Sequence, residues 1–468
     1  MKRVLIITYY WPPTGGSGVQ RWLKLSKYIL QFGWKPVIYT PLNPEVNSID
    51  ESLLLEVSPE IEVLKRKITE PYAIYKFLSG KKKNEHIKAN AIESSNSKGI
   101  TSFIRGNLFI PDPRVWWVKP SVRFLKEWLS ENKVDAIIST GPPHSMHLIA
   151  RELHNDLGVP WVADFRDPWT RLFYFKHLNL TDRSAAKHRS LELSILSDAS
   201  KVVTVTSQIR EDYVNDIKAI LGKFATPEAD DKVVLIENGY DPADFDETTN
   251  AALKEEVEKI DFLTKNKFVV AHTGLLTNSA NPPEFWKALG EFAVENQEFK
   301  NALQVVVLGQ TDNEAKKCFA QNGLERFVLD LGYSPHPKAV ALQKRANLLL
   351  LPLRKEPEAK GILTGKLFEY LASGSPIIAF GYKGCELEKI LNETSAGVLF
   401  EYAGSEPVSN EDKRIAEEKN VEKIKKEMAE VWAAYKAGAP LKNTSANISK
   451  YSRPAQAEAF AKLLDKII

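Results

Sequence analysis

In the run Thr364–Pro376, TGKLFEYLASGSP, a lysine stands where a helix least tolerates one. Thr364 is a good N-cap, Gly374 a stop and Pro376 a barrier to continuation, so the run predicts a helix over Thr364–Ser373. Lys366 then falls in the first turn, where the helix dipole already places positive charge. Two positive features converging on one point suit an anion, held there by Thr364, Gly365 and Lys366. Glu369 lies three residues on, on the same face, and its carboxylate can accept hydrogen bonds from ligand hydroxyls. The same spacing also fits an intrahelical Lys366–Glu369 pair without any ligand, worth about 0.2–0.5 kcal/mol.

Three segments of the first half join a strand end to chemically useful residues. A strand over Val4–Thr8 runs into Trp11-Pro12-Pro13-Thr14-Gly15-Gly16-Ser17-Gly18 and then a helix. Gly15 and Gly16 let the backbone approach a ligand, and the helix start offers unpaired N–H groups to an anion. A dinucleotide fingerprint needs a third glycine where Arg21 stands, and a plain tight turn fits the loop as well. Ser139–Ser145, STGPPHS, puts His144 at the carboxyl edge of a sheet, with Ser145 as a helix cap. A surface loop histidine is the alternative for His144, and His147, one turn into the helix, competes with it for any role. In Pro160–Trp169, PWVADFRDPW, an apolar strand ends in Asp164, Arg166 and Asp167. Arg166 offers a fixed cation to a phosphate or hydroxyl-rich ligand, positioned by its two carboxylate neighbours. An exposed ion-pair cluster satisfies the same residues.

These segments need strands and helices to hold them, and the chain supplies both in alternation. Short apolar runs at Val4–Thr8, Pro36–Tyr39, Ile61–Leu64, Ala136–Ser139, Trp161–Asp164, Val202–Thr206 and Val233–Glu237 read as strands. A second set follows at Phe268–His272, Leu303–Leu308, Phe327–Leu331, Leu348–Leu353, Ile377–Phe380 and Val398–Phe400. Amphipathic stretches such as Val19–Phe32, Val122–Ser130, Ser145–Leu157, Ser184–Ala199, Pro283–Phe299 and Pro337–Ala346 separate them, the rhythm of α/β units with parallel sheets. It breaks over the polar stretch Asp241–Lys267. The expectation is two doubly wound, Rossmann-like domains, 1–240 and 267–453, joined by a linker at 241–266. Helices follow at Val421–Ala437 and Pro454–Ile468, with 454–468 crossing back to the first domain. Gly80–Gly99 is polar and reads as a long functional or disordered loop.

Composition bounds the remaining choices. A length of 468 residues suits two domains, and 63 basic against 60 acidic residues is too balanced for a nucleic-acid binder. Two cysteines without a CxxC pair predict a reducing compartment and no structural zinc. No apolar run is long enough to span a membrane, and the opening MKRVLIITYYWPPTGG lacks a cleavage site, so a cytoplasmic protein is expected. Residues 109–133 combine Trp116, Trp117 and Trp128 with Arg114, Lys119, Arg123 and Lys126. That mixture suits peripheral contact with the inner membrane face, or a helix whose tryptophans are core.

The ordered set of motifs is more specific than any member. Thr273-Gly274-Leu275-Leu276, Leu331-Gly332-Tyr333, Leu350–Arg354 (LLPLR) and GKLFEYLASGSPII follow one another in the second half. YYWPPTGGSG, PPHS, DFRDPW and Asn238-Gly239-Tyr240-Asp241 precede them. Together they resemble the family 4 retaining glycosyltransferases with the GT-B fold, over nearly the whole chain. The resemblance implies a nucleotide-sugar donor, a UDP- or GDP-sugar, in the second domain, with no further cofactor and no metal. It implies a glycan or lipid-linked acceptor against the first domain, in cell-surface polysaccharide synthesis, with catalysis in the cleft. Glu369 resembles the second glutamate of the family's E-x7-E element, Lys366 falls where a diphosphate is met, and Gly274 lies in the TGxL loop. Gly15 and Gly16 match the glycine loop near the transferred sugar, and His144 the histidine at the sugar or departing phosphate.

Two positions depart from the family pattern. Gly361 stands where the first glutamate belongs, and Thr273–Ala280 lacks the usual arginine and lysine. Lys366, Arg354 and Lys360 can supply the missing charge. A branch whose helix reads KLFEYLA shares these departures. The resemblance implies front-face attack, with the leaving phosphate helping to take the acceptor proton. No Asp-x-Asp element follows a strand to hold a metal, and no paired carboxylates suit a glycosidase. A nucleotide-sugar epimerase of the same architecture and a non-catalytic sugar-nucleotide binder are the other readings.

Overall fold

The structure, a computed structural model, describes residues 1–46, 48–70, 100–222, 228–356, 360–402, 409–439, 441 and 446–468. The stretch Gly80–Gly99 lies outside the described residues. The chain forms two compact units, Met1–Asn238 with Arg453–Ile468, and Gly239–Ser452.

In the first unit seven parallel strands form one sheet: β1 (Lys2–Ile7), β2 (Trp34–Pro41), β3 (Glu62–Arg66), β4 (Ala136–Gly141), β5 (Trp161–Phe165), β6 (Lys201–Thr204) and β7 (Val233–Leu235). Their order is β3-β2-β1-β4-β5-β6-β7. Val4, Leu5, Ile6 and Ile7 are all fully buried, because a parallel sheet covered by helices on both faces hides successive side chains alike. The strand order reverses between β1 and β4. The loops after β1, β4 and β5 therefore gather at a switch point, where open sheets bind ligands.

The second unit repeats the plan with six strands: β8 (Phe268–Thr273), β9 (Leu303–Leu308), β10 (Val328–Asp330), β11 (Leu348–Pro352), β12 (Ile377–Gly381) and β13 (Gly397–Glu401). Their order is β10-β9-β8-β11-β12-β13, all parallel, with the reversal between β8 and β11. Each expected strand is present, shifted at its ends by a residue or two. Among the helices, Ser145–Leu157 matches its expected bounds, while Pro283–Phe299 divides at Asn296 into Pro283–Glu295 and Gln297–Ala302. The helix expected from Val122 begins at Val115, with Pro120 inside it.

The expected linker is a correction. Residues 241–266 belong to the second unit and contain the helix Ala251–Leu263, whose Leu253 and Ile260 are fully buried. Asn250 caps it by accepting from the Leu253 N–H. Its two apolar anchors are seven apart, too sparse a stripe to read against so many charges. The helices Ile100–Leu108, Ser207–Leu221, Asn313–Gln321 and Glu386–Thr394 also escaped the sequence pattern. The long helix Asn410–Lys436 turns Val421, Ile424, Met428 and Trp432 onto the second sheet's core, one face of an otherwise charged rod.

The last helix, Arg453–Asp465, packs in the first unit. Its Phe460 meets Trp22 edge-on, ring centroids 5.1 Å apart, and lies under the Arg21 guanidinium at 5.4 Å. Arg21, on the helix Ser17–Ile29, forms a bidentate pair with Asp164 of β5, at 3.2 and 3.0 Å. Asp164 also accepts from Trp22 Nε1 and Thr140 Oγ1, and Arg21 also donates to Ile236 O, Glu237 O and Asn238 Oδ1. Burial alone would raise the Asp164 pKa; the Arg21 charge and these hydrogen bonds overcome it and hold the carboxyl below its ordinary value. Removing one partner of a buried pair leaves a bare charge and costs about 3–5 kcal/mol. Asp164→Ala is therefore expected to lower the first unit's stability by about that amount. Urea unfolding of the full chain, followed by tryptophan fluorescence, checks this; an unchanged first transition would remove the pair from its structural role.

Candidate functional site

Each unit carries its own cluster at the carboxyl edge of its sheet. In the first, the loop after β1 closes on itself through Thr14 N–H to Trp11 O, and Gly15 N–H donates to Ser48 O at 2.9 Å. Gly16, exposed and at φ 90°, precedes the helix Ser17–Ile29, whose first turn has no side-chain cap and no acidic residue. Its leading N–H groups are thus unopposed by negative charge. The helix Ser145–Leu157 differs. Ser145 does not cap it; its N–H and Oγ both donate to the distant Asp112 carboxylate at 2.9 Å, so an anion already sits at that terminus.

Arg166 binds neither of its carboxylate neighbours in the way its sequence suggests. Its guanidinium donates to three backbone carbonyls, Gly18 O at 2.7 Å, Gly141 O at 3.3 Å and Pro142 O, tying the loop after β1 to the loop after β4. Asp164 points elsewhere, into the Arg21 pair, with every oxygen engaged. Neither is the exposed ion-pair cluster: Asp164 is fully buried and Arg166 half-buried. Asp167 is half-buried, and burial raises its carboxyl pKa against the opposing pull of Arg166.

His144 is no surface histidine. It is 5 % exposed and stacks flat on Trp169, centroids 4.7 Å apart and planes 4° from parallel. Burial holds its pKa well below the ordinary histidine value, with the His147, Arg166 and His188 charges adding to the shift, so the ring is neutral. Trp169 is itself fixed: its N–H reaches Glu192 Oε1 and Tyr213 Oη at 3.2 Å each, and Nε1–H donates to His188 Nδ1 at 3.1 Å. Fully buried Glu192 additionally takes Thr170 N–H and Arg189 Nη1, which anchors the whole turn after β5. Glu192 and His188 had no signal in the sequence, since both lie mid-helix, 19 to 23 residues from the turn they hold.

In the second unit Gly274 follows β8 at φ 103°, a backbone conformation natural only to glycine, and the Lys366 side chain lies directly against it, where a Cβ would be. Lys366 opens the helix Lys366–Ser373. Gly365 is the exposed N-cap residue, and Thr364 Oγ1 accepts from the Lys366 N–H at 3.4 Å. Gly374 ends the helix in the left-handed conformation, as its position predicts. Burial lowers the Lys366 pKa to about 8, with Glu369 opposing the shift.

Glu369 faces the same edge, but protein groups hold it. His336 Nε2 donates to Oε1 at 3.0 Å and Gln343 Nε2 to Oε2 at 3.0 Å. Gln343 also reaches Thr273 Oγ1, and Tyr370 Oη accepts from Thr273 N–H at 2.9 Å. The Lys366–Glu369 contact is thus not the pair that orders this face. His336 and Gln343 were not singled out in the sequence because helix His336–Arg345 reads as ordinary amphipathic. Arg354, after β11, is half-buried, Lys360 is exposed and Gly361 half-buried.

Of the tryptophans in 109–133, Trp117 is core, stacked on Tyr39 at 4.9 Å, and Trp128 carries Arg3 at 5.4 Å over its ring. Trp116 is 46 % exposed, edge-on to Phe109, and Leu108 is 68 % exposed. Among the described residues, no helix is long and apolar enough to cross a membrane.

No protein-family model and no curated protein matches this chain. Solved structures do. Anabaena HepE, determined in complex with UDP and glucose, superposes with a TM-score of 0.56 at 13 % identity, over 100 % of both chains. WaaG, a glycosyltransferase involved in lipopolysaccharide biosynthesis, gives 0.52 at 14 %, over 99 % of both. A Listeria monocytogenes protein assigned as a UDP-N-acetylglucosamine 2-epimerase gives 0.54 at 10 %, over 100 % of this chain and 96 % of the other. At such identities the likeness is one of fold. The chain has the GT-B fold, with two Rossmann-like, doubly wound α/β units, the first completed by the C-terminal helix.

Proposed function

We propose that this chain is a retaining glycosyltransferase of the family 4 type, moving a sugar from a nucleoside-diphosphate donor to a glycan or lipid-linked acceptor in cell-surface polysaccharide synthesis. The observation that carries the reading is Lys366, a half-buried cation at a helix N-terminus, laid against the positive-φ Gly274 at the switch point of the second sheet. A cation at the positive end of a helix suits a diphosphate, and it stabilises the charge that develops as the diphosphate departs. Glu369, set by His336 and Gln343, offers carboxylate oxygens to ribose hydroxyls. Transfer then needs no metal, since Lys366 and the helix supply the positive field, and Arg354 is proposed to add to it. The solved neighbours support a UDP-sugar as donor: HepE was determined with UDP and glucose, and an E. coli protein of this fold with UDP-2-fluoro glucose.

Gly15 and Gly16 are proposed to admit the sugar and acceptor close to the backbone, with Arg166 holding their loop against that of His144. Arg166 is thereby a structural tie, and Asp164 a support for Arg21, rather than groups that act on substrate. A cytoplasmic protein resting on the membrane face would suit a lipid-linked acceptor, through Trp116 and Leu108 rather than Trp117 or Trp128. Flotation with anionic vesicles at low salt is expected to recover the chain, and Trp116→Ser to release it; no binding by the unaltered chain ends the membrane proposal.

An epimerase remains the second reading, favoured by the Listeria likeness. It would release altered free sugar without acceptor. Assay of donor turnover with and without acceptor separates these from a non-catalytic binder, which would show affinity and no turnover.

Calorimetric titration with UDP-, GDP- and dTDP-glucose is expected to find one tight donor. Lys366→Ala and Glu369→Ala should each weaken it about tenfold to a hundredfold, the loss of one charge-assisted hydrogen bond. Unchanged affinity in both overturns the site. Because the Lys366 pKa is lowered to about 8, the amine carries its charge below that pH and loses it above. Donor affinity is therefore expected to hold steady below pH 8 and to fall as pH rises beyond it; Lys366→Arg should flatten that decline.

A further inference from the structure

Among the described residues of the first unit, three imidazole nitrogens are buried without a hydrogen-bond partner: both of His144, and Nε2 of His147. Buried polar groups in native proteins are nearly always paired, so three at one place call for a cause. The two rings meet over Gly141. A Cβ on Gly141 would lie 2.5 Å from His147 Nε2 and 3.0 Å from His144 Nδ1, so both nitrogens converge on one point.

The polarity of one ring follows from its other neighbours. Trp161 Nε1 can only donate, and it donates to Ser139 Oγ at 2.8 Å. Ser139 is fully buried and, among the described residues, its hydroxyl has no other acceptor, so its own hydrogen goes to His147 Nδ1, 2.8 Å away. His147 is neutral, because burial pushes its pKa down to about 3 against the opposing Asp164 charge. With Nδ1 accepting, the ring proton sits on Nε2, at the point over Gly141 that His144 Nδ1 also approaches. Nothing comparable fixes His144. Stacking on Trp169 sets its plane, yet a stacked imidazole has no preference for which nitrogen carries the proton.

We propose that His147 is a positioning residue that sets the tautomer of His144. Its Nε2–H donates to His144 Nδ1, through one water held between the two rings or directly as they close over Gly141. His144 then keeps its own proton on Nε2 and presents it as a fixed N–H donor. This role rests on the glycosyltransferase reading, in which His144 meets an oxygen of the transferred sugar or its phosphate. A neutral, pre-oriented donor stabilises charge there without reorganising during reaction.

The test needs no donor and so is independent of that reading. The full chain is labelled with 15N-histidine and its imidazole nitrogens are observed by NMR, with His144 identified through His144→Gln. Both His144 and His147 are expected to be protonated on Nε2 alone. His147→Phe preserves the stack on Phe165, 4.4 Å between centroids, but has no donor, and His144 should shift to the other tautomer or to an exchanging mixture. His147→Gln, whose amide N–H reaches the position of Nε2, should restore it. A wild-type His144 protonated on Nδ1 overturns the proposal even if neither variant folds, as does an unchanged His144 in His147→Phe. Where UDP-glucose is turned over, His147→Phe should lower kcat roughly tenfold or more at unchanged KM, with His147→Gln recovering it; equal kcat in all three chains also overturns the role.

Discussion

A carboxylate removed entirely from water must be compensated on every side, and in the first unit that obligation falls on Asp164. Its oxygens take both arms of Arg21, the Trp22 indole and the Thr140 hydroxyl. The consequences spread outward from there. The helix Ser17–Ile29 is pinned to β5, which sets the loop of Gly15 and Gly16 above the sheet. Arg21 continues to the backbone at Ile236 and Glu237 and supports Phe460 of the last helix. One buried charge therefore joins the first helix, the central strand, the chain's exit from the unit and the returning C-terminal helix. Replacing Arg21 by the glycine of a dinucleotide-binding loop would remove the partner on which all of this depends.

The same physics operates at lower intensity around the loops. Arg166 satisfies three carbonyls of two loops, Asp112 satisfies a helix terminus from a distance, and Glu192 satisfies the backbone of the turn that carries Trp169. Each is a charged side chain spent on orienting backbone, and each leaves a neighbouring group positioned. In the second unit Glu369 is likewise held, by His336 and Gln343, whereas Lys366 shows another arrangement. Lys366 is only half-buried, with its pKa lowered to about 8, and sits beside a glycine that no side chain could replace without displacing it. That is a half-buried cation at a helix start, the basis of the diphosphate site proposed above.

The sequence was most legible where one residue's role is local. The strands, the helix Ser145–Leu157 and the Gly374 stop follow from periodicity and from backbone preferences that need no partner. The helix Ala251–Leu263 was hidden because two buried leucine-type anchors seven apart are too few to show against polar neighbours. Ser145 was misjudged because a cap can come from anywhere in space, and here it came from Asp112. Asp164 and Arg166 are two apart, an interval that strand alternation places on one face, so pairing them was the natural expectation; β5 ends at Phe165, and the turn after it sends Arg166 elsewhere.

By itself, then, the sequence determined the two-unit α/β plan, the strand set and the placement of Lys366 at a helix start. These depend on intervals of 2 and 3.6 residues and on the special backbone of glycine and proline. Tertiary structure alone decided which partner each charge meets and how deeply it is buried. Asp164 was taken by Arg21, 143 residues away, and Glu369 by His336 and Gln343. Burial and pairing are properties of neighbours in space, and a carboxylate carries no mark along the chain of which neighbour will reach it.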